Sequence, residues 1–456
     1  MRDEVFRAYD IRGVYGRDIV EEDARLIGIA FATYLGGEGK NIAVGWDVRK
    51  SSNSLATALI DGIVSTGANV FNMDLVPTPL VYFAVAHRML DGGVIVTASH
   101  NPPEWNGFKL CRENARICGM GSGLEKVREI IDKKSWKTAS KGFVKNVSEE
   151  ILGEYEEYLS KIFGKLSGIK ILIDPGNGSC SKIGGRILRR LGLSVDSIND
   201  CPDGDFPSRS PEPTEESLSV LRKMVKENGY DIGVGYDGDC DRALFVDDEG
   251  NVVRGDIILV LFIKHFLKNK AGEKIVYEVS CSKLVEEVCR ENGIVPIVSR
   301  VGHTFILEKM LSEKAKFGGE ISSHLYFGEI YGLDDAIFAT LKVAELLTLT
   351  GKKLSQLIGE LPKYEFFKKN YDVPDEIKFQ VIRDLTTFFQ RAGHKIITLD
   401  GVRVELEEGW FILRASNTLP QVKLTAEASS KQALDKIVSY AEKSFKEILT
   451  RYSGKS

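Results

Sequence analysis

Three aspartates alternate in Asp237-Gly-Asp-Cys-Asp-Arg242. Residues two apart on an extended backbone project to the same side, about 6–7 Å from one another. The three carboxylates therefore form a patch of negative charge that needs a cation. Hard oxygen donors suit Mg²⁺, which takes a few carboxylates and completes its shell with water or a phosphate oxygen. An EF-hand calcium loop would carry glycine at its sixth position and glutamate at its twelfth, where this chain has Arg242 and Asp248. The plainer alternative is a solvated acidic turn. Gly238 between carboxylates, with Arg242 directly after them, favours a metal site.

Other stretches supply groups that a cation site for phosphate chemistry would use. Thr97-Ala-Ser-His-Asn-Pro102 offers a hydroxyl beside an imidazole, although serine is a weak nucleophile without help and this composition also suits an ordinary turn. Gly318-Gly-Glu-Ile-Ser-Ser-His324 offers a carboxylate, hydroxyls and an imidazole, able to hold sugar hydroxyls and carry a proton. Arg414-Ala-Ser-Asn-Thr418 sets a guanidinium, hydroxyls and an amide on a turn that can grip a phosphate. Arg7-Ala-Tyr-Asp-Ile-Arg-Gly13 and Lys109 add cations. Solvated charge and ordinary turns remain the alternatives at each place taken singly.

The elements that must position these groups follow one pattern. Short β-branched runs alternate with amphipathic stretches, which signals parallel α/β units, and this happens three times. Strands are predicted at 41–46, 69–73 and 93–97, then at 169–174 and 231–236, then at 274–278, 294–298 and 316–319, with helices at 55–65 and 183–191. Each series ends with a strand running into one of the polar loops. Ligands of open α/β sheets lie beyond the carboxyl ends of the strands, so three such loops can meet in one cleft. Beyond residue 362 the order changes to a helix at 376–392, strands at 402–406, 410–414 and 422–426, and a helix at 431–448, a smaller α+β unit. The units are placed at 1–145, 146–252, 253–364 and 365–456, with a hinge near 363–373.

The 456 residues exceed one ordinary core and agree with several units. No apolar run approaches the ~20 residues needed to cross a bilayer, and the charged start, Met1-Arg-Asp-Glu, gives no secretory signal, so a cytoplasmic location is expected. The seven cysteines are an odd number without a C-x-x-C pair, which indicates neither a disulfide framework nor a zinc site. A net charge of −4 argues against nucleic acid as a partner and leaves room for a small anion in a local basic pocket.

Taken together, Tyr9-Asp-Ile-Arg-Gly13, Thr97-Ala-Ser-His-Asn-Pro102, Asp237-Gly-Asp-x-Asp-Arg242, Gly319-Glu-x-Ser-x-His324 and Arg414-Ala-Ser-Asn-Thr418, in this order, resemble the α-D-phosphohexomutase superfamily of phosphomannomutase/phosphoglucomutase type. The match covers nearly the whole chain. The resemblance implies three similar mixed α/β domains around a central cleft and a smaller C-terminal α+β domain. It implies a phosphoserine at Ser99, with Ser99, Asp237, Asp239 and Asp241 on Mg²⁺, and Arg12, His100, Lys109 and Arg242 around the reacting phosphate. Glu320 and Ser322 would bind sugar hydroxyls, Arg414, Ser416, Asn417 and Thr418 the other phosphate, and Tyr9, Gly302 and His303 would complete the substrate-binding set. His324 is the candidate proton carrier.

The implied reaction interconverts hexose 1-phosphate and 6-phosphate through a hexose 1,6-bisphosphate, which also acts as activator. Its partners are small sugar phosphates, and the oligomeric state stays open. Ser323, Ala336 and Arg300 stand where the family favours glycine, glycine and lysine, which bears on substrate preference. Arg-Ala-Ser-Asn-Thr points to mannose and glucose phosphates, with phosphoglucosamine mutase as the alternative. A Mg²⁺-dependent sugar phosphatase and a non-catalytic sugar-phosphate sensor are the readings from other classes.

Overall fold

The strands Gly92–Val96 and Ile232–Tyr236 are buried at every position, as their Gly-Gly-Val-Ile-Val and Ile-Gly-Val-Gly-Tyr sequences require of central strands covered on both faces. The structure is a computed structural model, and it describes residues 3–136, 138–416 and 419–452. Among them the strands form four sheets.

In the first sheet, Asn41–Trp46 lies between Asn69–Leu75 and Gly92–Val96, parallel to both. Trp105–Arg112 then pairs antiparallel with Gly92–Val96 and with Ile11–Val14. In the second, Ile232–Tyr236 is parallel to Lys170–Asp174 and antiparallel to Ala243–Asp247. In the third, Lys274–Glu278 is parallel to Val295–Ser299 and Phe317–Gly319, and Leu325–Phe327 closes the sheet antiparallel. All three sheets are thus mixed, with the parallel strands where the β-branched runs predict them.

The fourth sheet is antiparallel throughout, in the order Glu365–Asp372, Gln421–Ala428, Gly409–Ala415, Val402–Glu405, Lys395–Ile397. Helices Asp375–Arg391 and Lys431–Thr450 contribute Leu385, Phe389, Ile437 and Phe445 to the core it shares with them. The segment expected as a hinge is therefore mostly strand. Phe367 and Tyr371 pack on this core from alternate positions, but Lys368, Lys369 and Asn370 between them hide the alternation.

One core runs through the first three units, joining Tyr82 and Phe83 to Tyr155, Phe245, Phe262 and Phe338. The C-terminal unit has its own core and meets the third unit through a small cluster of Val279, Trp410 and Ile412. Among the described residues no helix is long and apolar enough to cross a membrane.

Candidate active site

Beyond Val96 the chain turns through Thr97 and Ala98 to Ser99, which stands at φ 51°. That left-handed conformation costs a non-glycine residue about 1–2 kcal/mol, so the surroundings must impose it. Ser99 N donates to Thr97 Oγ1 at 2.8 Å, and Thr97 Oγ1 donates to Asp47 Oδ2 at 2.7 Å. Arg49, fully buried, donates from Nε to Asp47 Oδ2 at 3.0 Å and from Nη2 to the carbonyls of Ser99 and Asn101 at 2.8 and 2.6 Å. Its Nη1 adds the carbonyls of Pro102 and Trp105. Arg49 and Asp47 thus hold the serine loop in place, which the sequence pattern does not reveal, because in Trp46-Asp-Val-Arg-Lys they look like ordinary surface charge. Arg12 holds the same loop from the other side, donating from Nη1 to Asn101 Oδ1 at 2.7 Å and to Ala98 O at 3.2 Å.

The serine loop of the first unit meets the aspartate loop of the second. Ser99 Oγ donates to Asp237 Oδ2 at 3.1 Å and lies 3.1 Å from His100 Nδ1. A Cβ on Gly238 would stand 2.5 Å from Ser99 O, so the glycine between the aspartates permits this approach. Asp237, Asp239 and Asp241 are buried, and each offers an oxygen within 4.8 Å of the others. Burial, then the charge of Asp241, pushes Asp237 up to about 8. Lys109 Nζ donates to Asp239 Oδ2 and Asp241 Oδ2 at 2.7 Å each, and those two charges outweigh its burial and hold the ammonium charged. Asp239 Oδ1 is buried without a hydrogen-bond partner, while Asp241 Oδ1 has His324 Nε2 at 3.3 Å. Three clustered acidic oxygens, with a buried carboxylate oxygen of Asp239 unpartnered, fit a hard divalent cation such as Mg²⁺. Thr78, unmarked in the sequence, also donates to Asp239 Oδ2 at 2.6 Å.

Arg242 donates from Nε to Asp237 Oδ2 at 3.2 Å, while its Nη2 is buried without a partner. Burial, then the cations Arg242 and Arg12, lowers His100 well below the usual imidazole range, so it is neutral.

The third unit closes on the same aspartates. His324 Nε2 is 3.3 Å from Asp241 Oδ1, and its Nδ1 is 3.6 Å from Glu320 Oε1 and 3.1 Å from Ser322 Oγ. Those two carboxylates outweigh burial and keep His324 as an imidazolium. Tyr326 donates to Glu320 Oε1 at 2.7 Å. Asp334, missed in the sequence, shares with Asp241 and His324 a second group of oxygens and nitrogen within 4.8 Å, and its own Oδ2 is buried without a partner. Tyr9 donates to Val301 O at 2.9 Å, and its ring packs edge-on against His303 at 6.2 Å. A Cβ on Gly302, which has φ 126°, would lie 2.6 Å from that ring. Ser323, where a glycine is expected, has φ 71°.

In the C-terminal unit, Arg414 lies 3.7 Å from Asp400 and faces Lys423 directly across the strand pair. Ser416 is buried and its Oγ accepts from Leu419 N at 3.2 Å. Asn417 and Thr418 lie outside the described residues. Lys423 is a further cation that the sequence does not single out. Burial, then Arg414 and Lys368, draws it down to about 8, with Glu212 and Glu278 of the neighbouring units partly offsetting them. Glu278 is itself pushed up to about 7 by burial and by Glu320.

Comparison with known proteins agrees with this arrangement. Models described as phosphoglucomutase/phosphomannomutase alpha/beta/alpha domains I, II and III match residues 3–137, 153–250 and 254–364, and the model of the C-terminal domain matches 369–443. The phosphoglucomutase/phosphomannomutase of Thermococcus kodakarensis is 35% identical over 445 residues, covering 94% of this chain and 95% of its own. A protein of Methanopyrus kandleri described as "Probable phosphoglucosamine mutase" is 34% identical over 434 residues, covering 94% of each. The crystal structure of a phosphoglucomutase/phosphomannomutase family protein from Burkholderia thailandensis superposes with a TM-score of 0.89 at 30% identity, covering 98% of both chains. Matched over most of its length by all four domain models and 35% identical to a full-length relative, the chain belongs to the phosphoglucomutase/phosphomannomutase family, enzymes that move phosphate between positions of a sugar.

Proposed function

We propose that this enzyme interconverts the 1-phosphate and 6-phosphate of mannose and glucose through a phosphoserine at Ser99. The observation that carries the reading is the 3.1 Å approach of Ser99 Oγ to Asp237, inside a shell of Lys109, Arg242 and the remaining aspartates. Asp237, Asp239 and Asp241 would hold Mg²⁺, which supplies positive charge against the phosphoryl oxygens.

The substrate hydroxyl oxygen forms the new bond to phosphorus while the bond to Ser99 Oγ breaks, and the hydroxyl proton leaves to a nearby base. His324 is the candidate, by its place between Asp241 and Ser322: with Asp241 on Mg²⁺, one of the two carboxylates that hold it as an imidazolium is drawn off, so that it can give up that proton and accept this one. The resulting hexose 1,6-bisphosphate turns in the cleft, and its other phosphoryl group returns to Ser99 Oγ. Added bisphosphate primes the unphosphorylated enzyme by the same step. Arg12, His100, Lys109 and Arg242 orient the reacting phosphoryl group, and positioning with charge neutralisation lowers the barrier. Glu320 and Ser322 take the sugar hydroxyls, and Tyr9, Gly302 and His303 form the wall beside them. Arg414, Ser416, Asn417 and Thr418, with Lys423, hold the phosphate that is not reacting. The units divide at 1–145, 146–252, 253–364 and 365–456, and the enzyme works in the cytoplasm on small sugar phosphates.

The relative described as a phosphoglucosamine mutase supports a second reading, glucosamine phosphate. Interconversion assays with mannose, glucose and glucosamine 1-phosphates, each primed with glucose 1,6-bisphosphate, decide between them. Turnover of glucosamine phosphate alone would replace the mannose and glucose assignment. Steady release of inorganic phosphate without isomerisation would make the enzyme a phosphatase.

A further inference from the structure

Away from the serine and aspartate loops, a cavity of about 280 Å³ opens between the first and third units. Arg112, Arg116 and Ser122 line one side, and Thr304, Glu308 and Ser312 of the helix His303–Glu313 line the other. Two polar atoms in these walls, Arg112 Nε and Thr304 Oγ1, are buried without a hydrogen-bond partner, and Thr304 is only 7% exposed. A buried donor left unmade costs about 1–3 kcal/mol, so two in one cavity call for an occupant that accepts from them.

The charges say which occupant. Arg112 approaches Glu113 only to 4.0 Å, and Arg116 has no ion pair among the described residues. Glu308 is the one carboxylate in the lining, so the cavity carries net positive charge. Guanidinium groups beside hydroxyls are the donor set of a phosphate site. A second cavity of about 590 Å³ shares Arg116 and Leu311 with the first, and adds Lys314, Lys316 and an apolar wall that includes Met310.

We propose that the cavity between Arg112, Arg116 and Thr304 is an effector site for a small phosphate monoester, its phosphate on those three side chains and its organic part in the adjoining cavity. The site has a short route to the sugar-binding wall. Thr304 follows His303 in the helix, and the loop bearing Ser122 holds the Tyr9 segment through Met120 N donating to Ala8 O at 2.9 Å. An occupant bridging Arg112 and Thr304 ties the side that carries Tyr9 to the helix that begins at His303.

Calorimetric titration of the whole enzyme tests this, with the central cleft first saturated by glucose 1,6-bisphosphate. Glycerol 3-phosphate and inorganic phosphate are the probes. One further equivalent of glycerol 3-phosphate is expected to bind, more tightly than inorganic phosphate, and to be weakened at least tenfold by Arg116→Gln and by Thr304→Val. If the bisphosphate itself fills the cavity, a second bisphosphate equivalent is lost in both variants, which supports the site equally. Arg116 is exposed, so Arg116→Gln should keep the wild-type Tm and its activity without effector. Inorganic phosphate binding as tightly as glycerol 3-phosphate would overturn the monoester assignment. No additional equivalent of either kind, or one that both variants retain, would overturn the site.

Discussion

Arg49 grips carbonyl oxygens, and it decides where the Ser99 hydroxyl stands. Removing one partner of a buried ion pair strands the other, so Arg49→Ala and Asp47→Ala should each lower stability by about 3–5 kcal/mol, with the double variant losing much less than the sum. Chemical denaturation of the four proteins measures this. Ser323 offers the opposite case. At φ 71°, with its hydroxyl oxygen buried and unpartnered, it carries a strain that glycine relieves. Ser323→Gly is expected to raise stability by about 1 kcal/mol, after subtracting the entropy glycine adds to the unfolded chain. A fall in Tm would mean that the Ser323 side chain contributes packing beyond its strain. Neither residue could be weighed from sequence alone. The departure at Ser323 was visible there, but its meaning rests on a backbone angle. Arg49 needs the fold to bring residues 50 positions away under its guanidinium.

At the scale of elements, the fourth sheet sets Arg414 and Lys423 side by side on neighbouring strands. Arg414→Lys keeps a charge but loses the planar fork, so KM for the 1-phosphate and the 6-phosphate should both rise, roughly tenfold if ~1–2 kcal/mol is lost. Lys423 adds a pH dependence. It faces Arg414, Lys368, Glu212 and Glu278, and its folded pKa of about 8 lies below that of a free lysine. As pH rises through about 8 the ammonium loses its proton and the phosphate loses a partner, so KM should climb above that pH. Lys423→Arg should flatten the climb, and an unchanged profile in that variant would remove Lys423 from the site. The same scale shows what sequence makes legible. Lys274–Glu278 is the strand its β-branched run predicts, and the reactive loops follow strands as expected. The helices Gly255–Phe266 and Ala336–Thr350 escape, because they are apolar on nearly every side and show no 3.6-residue alternation.

For the whole molecule, one core joins three units while the fourth stands on its own core, so the cleft is built from a fixed part and a part held by the Val279, Trp410 and Ile412 contact. The acidic cluster of Asp237, Asp239 and Asp241, the proposed Mg²⁺ site, lies within the fixed part. Mg²⁺ at about 100 times its Kd should add about 2.7 kcal/mol to stability, and Asp239→Asn should abolish both that gain and the activity. Activity in excess chelator equal to that with Mg²⁺ would exclude the triad as a catalytic metal site. Ser99 is the proposed relay of the phosphoryl group, and its labelling can be read directly. The enzyme is incubated with glucose 1,6-bisphosphate carrying radiolabelled phosphate, digested and mapped, and in parallel chased with unlabelled glucose 6-phosphate. The label should sit on the peptide containing Ser99, pass to the sugar on the chase, and be absent from Ser99→Ala. Label on another residue, or label released only as inorganic phosphate while isomerisation proceeds, would contradict the mechanism.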